Sequence, residues 1–168
     1  MSRKPAYEKT TVAVGKTIGE VRDLLQSFAA QHIAVGEDAD YVYIRFRLPD
    51  ELPVSLRFSQ TQVLKRLRSV HSQTDPNKLK EQSHRTVWRQ AYYYIKATLE
   101  TVELGLFTIY QGFLAGFVGP DGRTLGEAVE ESEDLLRDWS MWGAVPCLPA
   151  SRQGEDGPVI EGEFTEAG

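Results

Sequence analysis

Five residues carry the most legible chemistry in the chain: Tyr41, Tyr43, Arg45, Arg47 and Arg57. In Tyr41-Val-Tyr-Ile-Arg-Phe-Arg-Leu48, the aliphatic and aromatic Val42, Ile44, Phe46 and Leu48 alternate with the tyrosines and arginines. A period of two is that of a β-strand, whose successive side chains point to opposite faces. The Tyr and Arg side chains then share one face, where rings can stack on unpaired bases and guanidinium groups can hold phosphates. Each stacked base is worth about 1–3 kcal/mol. The competing reading is that Tyr and Arg suit solvated strand faces for their own sake, their stems covering the sheet. A second stripe, Arg85, Arg89, Tyr93 and Lys96, has helical spacing. It either extends the basic surface or is the solvated face of a helix in an oligomer.

Charge is unevenly distributed. The 168 residues carry a net −5, yet residues 1–118 hold 16 Lys and Arg against 12 Asp and Glu, while 119–168 hold 3 against 12. Within 41–96 the count is 11 basic to 4 acidic. A basic body with an acidic tail is compatible with a polyanionic partner, which the net charge alone would argue against.

Other chemistries find little support. Val14-Gly-Lys-Thr17 matches the end of a phosphate-binding loop, but Thr10 stands where its first glycine belongs. His32, His71 and His84 have no partner at helical spacing for a metal face, and the single Cys147 has neither a disulfide partner nor a metal set. Glu100 and Glu103 lack the histidines of a di-metal bundle. No Gly-x-Ser-x-Gly elbow selects a nucleophile. The reading is therefore of a protein that is not an enzyme and uses no cofactor or metal. No apolar run approaches the roughly 20 residues of a membrane span, so a reducing cytoplasm is expected, that of the host cell if the chain is phage-encoded.

The elements that must hold the five residues follow from local signals. Thr11–Val14 is a short β-prone run, and Thr17-Ile-Gly-Glu20 has the form of a capping box. The spacing of Ile18, Val21, Leu24, Leu25 and Phe28 predicts an amphipathic helix from Ile18. A strand over His32–Val35 and a turn over Gly36–Asp40 lead into the Tyr/Arg strand. Pro49–Pro53 turns the chain into a second alternating run, Val54–Ser59, and Gln62–His71 reads as a short helix or a further strand. Asp75-Pro76 opens a long helix whose apolar stripe includes Val87, Trp88, Ala91, Tyr94, Ile95, Leu99 and Leu106. Boxes at Thr108–Gln111 and Thr124–Glu127 start two more helices, the last running to about Trp139. The predicted fold is α+β: an antiparallel sheet of three or four strands packed on the N-terminal helix and on the long helix that follows. Residues 1–10 are read as a flexible N-terminus, 11–142 as the domain and 143–168 as an acidic disordered tail.

Lys96-Ala-Thr-Leu-Glu-Thr-Val-Glu-Leu-Gly105, Phe113-Leu114 and Pro120-Asp-Gly-Arg-Thr-Leu-Gly126 together resemble a pattern in small phage and prophage proteins of unassigned role. The resemblance spans about 10–130 and departs at Gly119, where a large apolar residue belongs. It implies a phage setting and carries over no site. Near the end, Ile160 and Phe164 sit among carboxylates. Acidic tails with such anchors resemble those by which single-strand-binding proteins recruit replication and repair partners; a merely solubilising tail is the other reading. Taken together, the sequence points to single-stranded nucleic acid binding in phage replication or recombination. Tyr41 and Tyr43 would stack bases, Arg45, Arg47 and Arg57 would hold the backbone, and the tail would compete for the basic face. The alternative is an accessory protein that inhibits a host protein through its acidic C-terminal part.

Overall fold

The first helix opens one turn earlier than its capping signals suggest. In the computed structural model, which describes residues 4–49 and 53–132, α1 spans Val14–Ser27. Thr11–Val14 is therefore not a strand. Thr17 is buried inside the helix and Glu20 is drawn away to Arg89, so the expected Thr17–Glu20 box does not form. Burial of the Thr17, Val21 and Leu25 face outweighs the missing side-chain cap at Ala13. Gly15-Lys16-Thr17 accordingly lies within a helix and does not make a loop that could wrap phosphates.

α1 ends with Ala29 at φ +56°, its N–H donating to Gln26 O while that of Ala30 donates to Leu25 O. These are the paired bonds of a Schellman stop, a position that favours glycine because a Cβ costs about 1–2 kcal/mol in this left-handed region. Ala29→Gly should therefore raise stability by about 0.5–1 kcal/mol, once the extra backbone entropy of glycine is set against the relieved strain. Urea denaturation of the two proteins checks it, and an unchanged or lower midpoint would contradict this account.

Three strands follow, β1 (Gln31–Glu37), β2 (Tyr41–Arg47) and β3 (Pro53–Ser59), antiparallel in the order β1-β2-β3. The first turn is tighter than predicted. Gly36 and Glu37 belong to β1, paired with Tyr43 and Val42, and only Asp38–Asp40 turn the chain. Asp38 closes the turn by accepting the backbone N–H groups of Asp40 and Tyr41. The two-faced reading of β2 holds: Val42, Ile44, Phe46 and Leu48 are at most 2% exposed, and Arg45 and Arg47 are exposed.

α2 (Gln60–Val70) is a helix, capped by the Ser59 side chain, which removes the strand alternative. α3 (Pro76–Glu103) starts at Asp75, whose carboxylate accepts the N–H groups of Asn77 and Lys78. Its Val87, Trp88, Ala91, Ile95 and Leu99 join Val21, Leu25 and the inner faces of β2 and β3 in one core. The stripe is narrower than its apolar spacing implies. Tyr94 is 44% exposed and Leu106 is 69% exposed. Three strands at about 4.8 Å spacing offer a floor only about 10 Å wide, and Leu106 lies beyond the helix end.

The chain returns through α4 (Ile109–Phe113), a 3-10 turn at Leu114–Gly116 and α5 (Leu125–Glu131). Both predicted boxes are present, at Thr108–Gln111 and at Thr124–Glu127. A full fourth strand is absent among the described residues. Phe117 instead makes a single bridge to Val54 at the outer edge of β3. Gly116 permits that approach, since a Cβ there would come within 2.9 Å of Leu56. The expected continuation of α5 to Trp139, and the tail with Ile160 and Phe164, fall outside the described residues.

Candidate nucleic-acid interface

Strand register arranges the outer face of the sheet in rows. Tyr43 lies between Gly36 of β1 and Arg57 of β3, and Arg45 lies between Ala34 and Ser55. On the β1 side the neighbours are thus Ala34 and Gly36, and a Cβ added to Gly36 would meet nothing within 4 Å. The rings and guanidinium groups of β2 consequently stand beside a low floor. Tyr41 and Tyr43 lie 6.2 Å apart at 44°, close enough to present adjacent rings but not stacked on each other.

The contacts divide the five residues into held and free. Arg57 meets Glu127 at 3.2 Å and lies 4.6 Å over the Tyr41 ring. Glu127 reaches it because its other carboxylate oxygen is fixed by the α5 cap, accepting from Thr124 N–H and Oγ1. Those backbone bonds first, and the Arg57 and Arg123 charges after them, hold the Glu127 carboxyl below its usual range. The Tyr43 hydroxyl donates to Asp38 at 2.5 Å, lowering the Asp38 carboxyl and raising the tyrosine. The contribution of this contact to folding is present above the ordinary aspartate range and fades as acid protonates Asp38. Arg45 makes a single neutral contact, Nε to Ser55 Oγ at 3.3 Å. Arg47, like Arg45, is exposed and has no carboxylate partner among the described residues.

Next to this face is a hollow of about 330 Å³, lined by Tyr43, Arg45, Ser55, Arg57, Thr124 and Glu127 among others. It lies at the low end of the volumes of small-molecule sites, about 300–1,000 Å³. No protein-family model, curated protein or solved structure matches this chain.

The second stripe is not brought to the sheet face. It lies on α3, whose Val87, Ala91 and Ile95 fill the core beneath the sheet. Arg85 pairs with Glu81, Arg89 with Glu20, and Lys96 with Glu100. Arg89 is further enclosed by the Tyr92 and Tyr93 rings, with Tyr7 stacked 4.5 Å from Tyr93. Burial would lower its pKa, but the Glu20 and Tyr93 contacts outweigh that and raise it. In this setting Arg89 joins α1 to α3.

Sequence reasoning overlooked Glu127, Ser55 and Gly36 as parts of the site. The Thr124–Glu127 box did locate the Glu127 carboxylate at a helix start. Its approach to Arg57 depends on Phe117 bridging β3, which no local pattern marks. Among the described residues no three His, Cys, Asp or Glu side chains gather as a metal set, and no helix is long and apolar enough to cross a membrane.

Proposed function

We propose that this chain is a non-enzymatic nucleic-acid-binding protein that holds single-stranded DNA across the open face of its sheet, in phage replication or recombination. The observation that supports this reading most directly is the pair Arg45 and Arg47, exposed, without a carboxylate partner among the described residues, and on the same face as Tyr41 and Tyr43. Free guanidinium groups gain from meeting phosphates, and rings beside them stack only on bases that are not already paired. The positive zone is also narrow. Asp38 stands at the Tyr43 side, and Glu127 and Glu130 border the hollow beside Arg57. Such acids oppose the second phosphate chain of a duplex more than a lone strand. The phage setting rests on the resemblance of residues 96–126, and recruitment of replication partners would fall to Ile160 and Phe164.

Fluorescence anisotropy with labelled oligothymidylate and with a duplex tests the reading. The full chain is expected to bind the single strand at about 50 mM salt and to lose about tenfold in affinity by 200 mM, as two or three phosphate contacts release their counterions. Absence of binding at the lower salt, or equal affinity for the duplex, would overturn it.

A further inference from the structure

β1 contains an irregularity that local sequence does not announce. Its pairing with β2 runs through Val35↔Ile44 and Ala34↔Arg45, then slips, and Gln31 lies opposite Arg47. Three steps on β1 thus face two on β2, and His32 within the slip has φ +52°. Non-glycine residues seldom occupy this region, and a bulge is a common way to re-aim one side chain. The result places His32 with the arginines. It lines a second hollow, of about 350 Å³, together with Arg45, Arg47, Pro53, Ser55 and Gly122. Arg45, Ser55 and Gly122 also line the first hollow. The second hollow is thus a groove that shares Arg45 with the first.

We infer that His32, Arg45 and Arg47 build a phosphate subsite in this groove, which takes a phosphodiester next to the base held at Tyr43 and tightens when His32 carries a proton. The inference rests on the single-strand reading above and adds to it a residue and a pH dependence. Two of its donors are permanently charged, and the third belongs to the side chain whose charge changes in the physiological range. A phosphate between them supplies the counter-charge that the hollow lacks. Among the described residues, β2 contributes Arg45, Arg47 and the uncharged Phe46, and β3 only the uncharged Pro53, Val54 and Ser55. In the adjoining turn Asp121 is taken by Arg123 at 2.7 Å. The other histidines are engaged elsewhere, His71 with Glu8 and His84 with Glu37.

Binding of labelled oligothymidylate at pH 6 and pH 8, at one low salt concentration, tests the subsite in three full-length proteins. Wild type is expected to bind about two- to fivefold more tightly at pH 6, the range of one exposed ion pair. His32→Asn, whose side chain tolerates left-handed backbone, should bind with the weaker affinity at both values. His32→Lys should bind with the tighter affinity at both. If wild type binds but His32→Asn keeps the full gain at pH 6, the subsite is overturned and the sheet-face reading stands. If wild type binds at neither pH, the sheet-face reading itself fails. Inorganic pyrophosphate added to the wild-type complex separates the two sources of phosphate. Weak competition supports a nucleic-acid subsite, whereas displacement of the oligonucleotide at equimolar pyrophosphate would make this a free-phosphate site and overturn the assignment.

Discussion

The Arg45→Ala/Arg47→Ala protein should bind single-stranded oligothymidylate about thirtyfold more weakly than wild type, equivalent to about 2 kcal/mol. Each guanidinium is exposed and has no carboxylate partner among the described residues. Bringing a phosphate to it therefore breaks no ion pair, and a charge-assisted contact of about 1 kcal/mol per arginine is reasonable at this exposure. The salt dependence should also flatten, the slope falling by about 1.4 for two lost contacts on a single strand. Arg57→Ala should cost less, because a phosphate must first displace Glu127 from it. Thermal unfolding should be nearly unchanged in the double variant, since the substitutions are at the surface and remove no ion pair among the described residues, only the exposed Arg45–Ser55 contact, and such changes stay within about 0.5 kcal/mol. Equal affinity of the double variant and wild type would remove Arg45 and Arg47 from the interface.

Trp88→Ala should be the most damaging single change to the fold, with a loss of about 3–5 kcal/mol. Trp88 is 1% exposed within the core that joins α1, α3 and the sheet. A typical domain is stable by only about 5–15 kcal/mol, so the variant should be partly unfolded at 37 °C. Trp88 also ties α3 to the end of β1, its Nε1–H donating to Glu37 Oε2 at 3.1 Å, where His84 meets the same oxygen at 2.6 Å. Burial would raise the Glu37 carboxyl, but these hydrogen bonds outweigh it and hold the carboxyl below its usual range. A lowered carboxyl stabilises the fold above its ordinary range and loses that contribution as the pH falls. Trp88→Phe keeps most of the ring volume and removes the donor. It should cost less than Trp88→Ala and show a shallower loss of stability in acid. Urea midpoints at pH 7 and pH 4 distinguish the three proteins, and a Trp88→Ala loss below about 1 kcal/mol would contradict the core assignment.

Local pattern determined a good deal of this protein. Alternation through residues 41–48 and 54–58 was enough to place Val42, Ile44, Phe46, Val54 and Leu56 in the core and Tyr41, Tyr43, Arg45 and Arg47 on the other face. The period of two admits no other assignment once one face is buried. Asp75-Pro76 and the Thr108 and Thr124 boxes marked helix starts, because caps are satisfied within four residues of chain. Tertiary structure decided the rest. The Thr17–Glu20 pattern yielded to the pull of α3, since burying one more helical turn and pairing Glu20 with Arg89 outweighs a single cap. The sequence could extend the basic surface onto the α3 stripe or leave that stripe as a solvated helix face; the fold gives every cation of the stripe a carboxylate, whereas Arg45 and Arg47 have none among the described residues. Glu127 reaches Arg57 through one bridge at the β3 edge, and His32 joins the arginines through one extra residue in β1. Both depend on where distant segments meet, so periodicity and capping, which act over a few residues, could not reveal them.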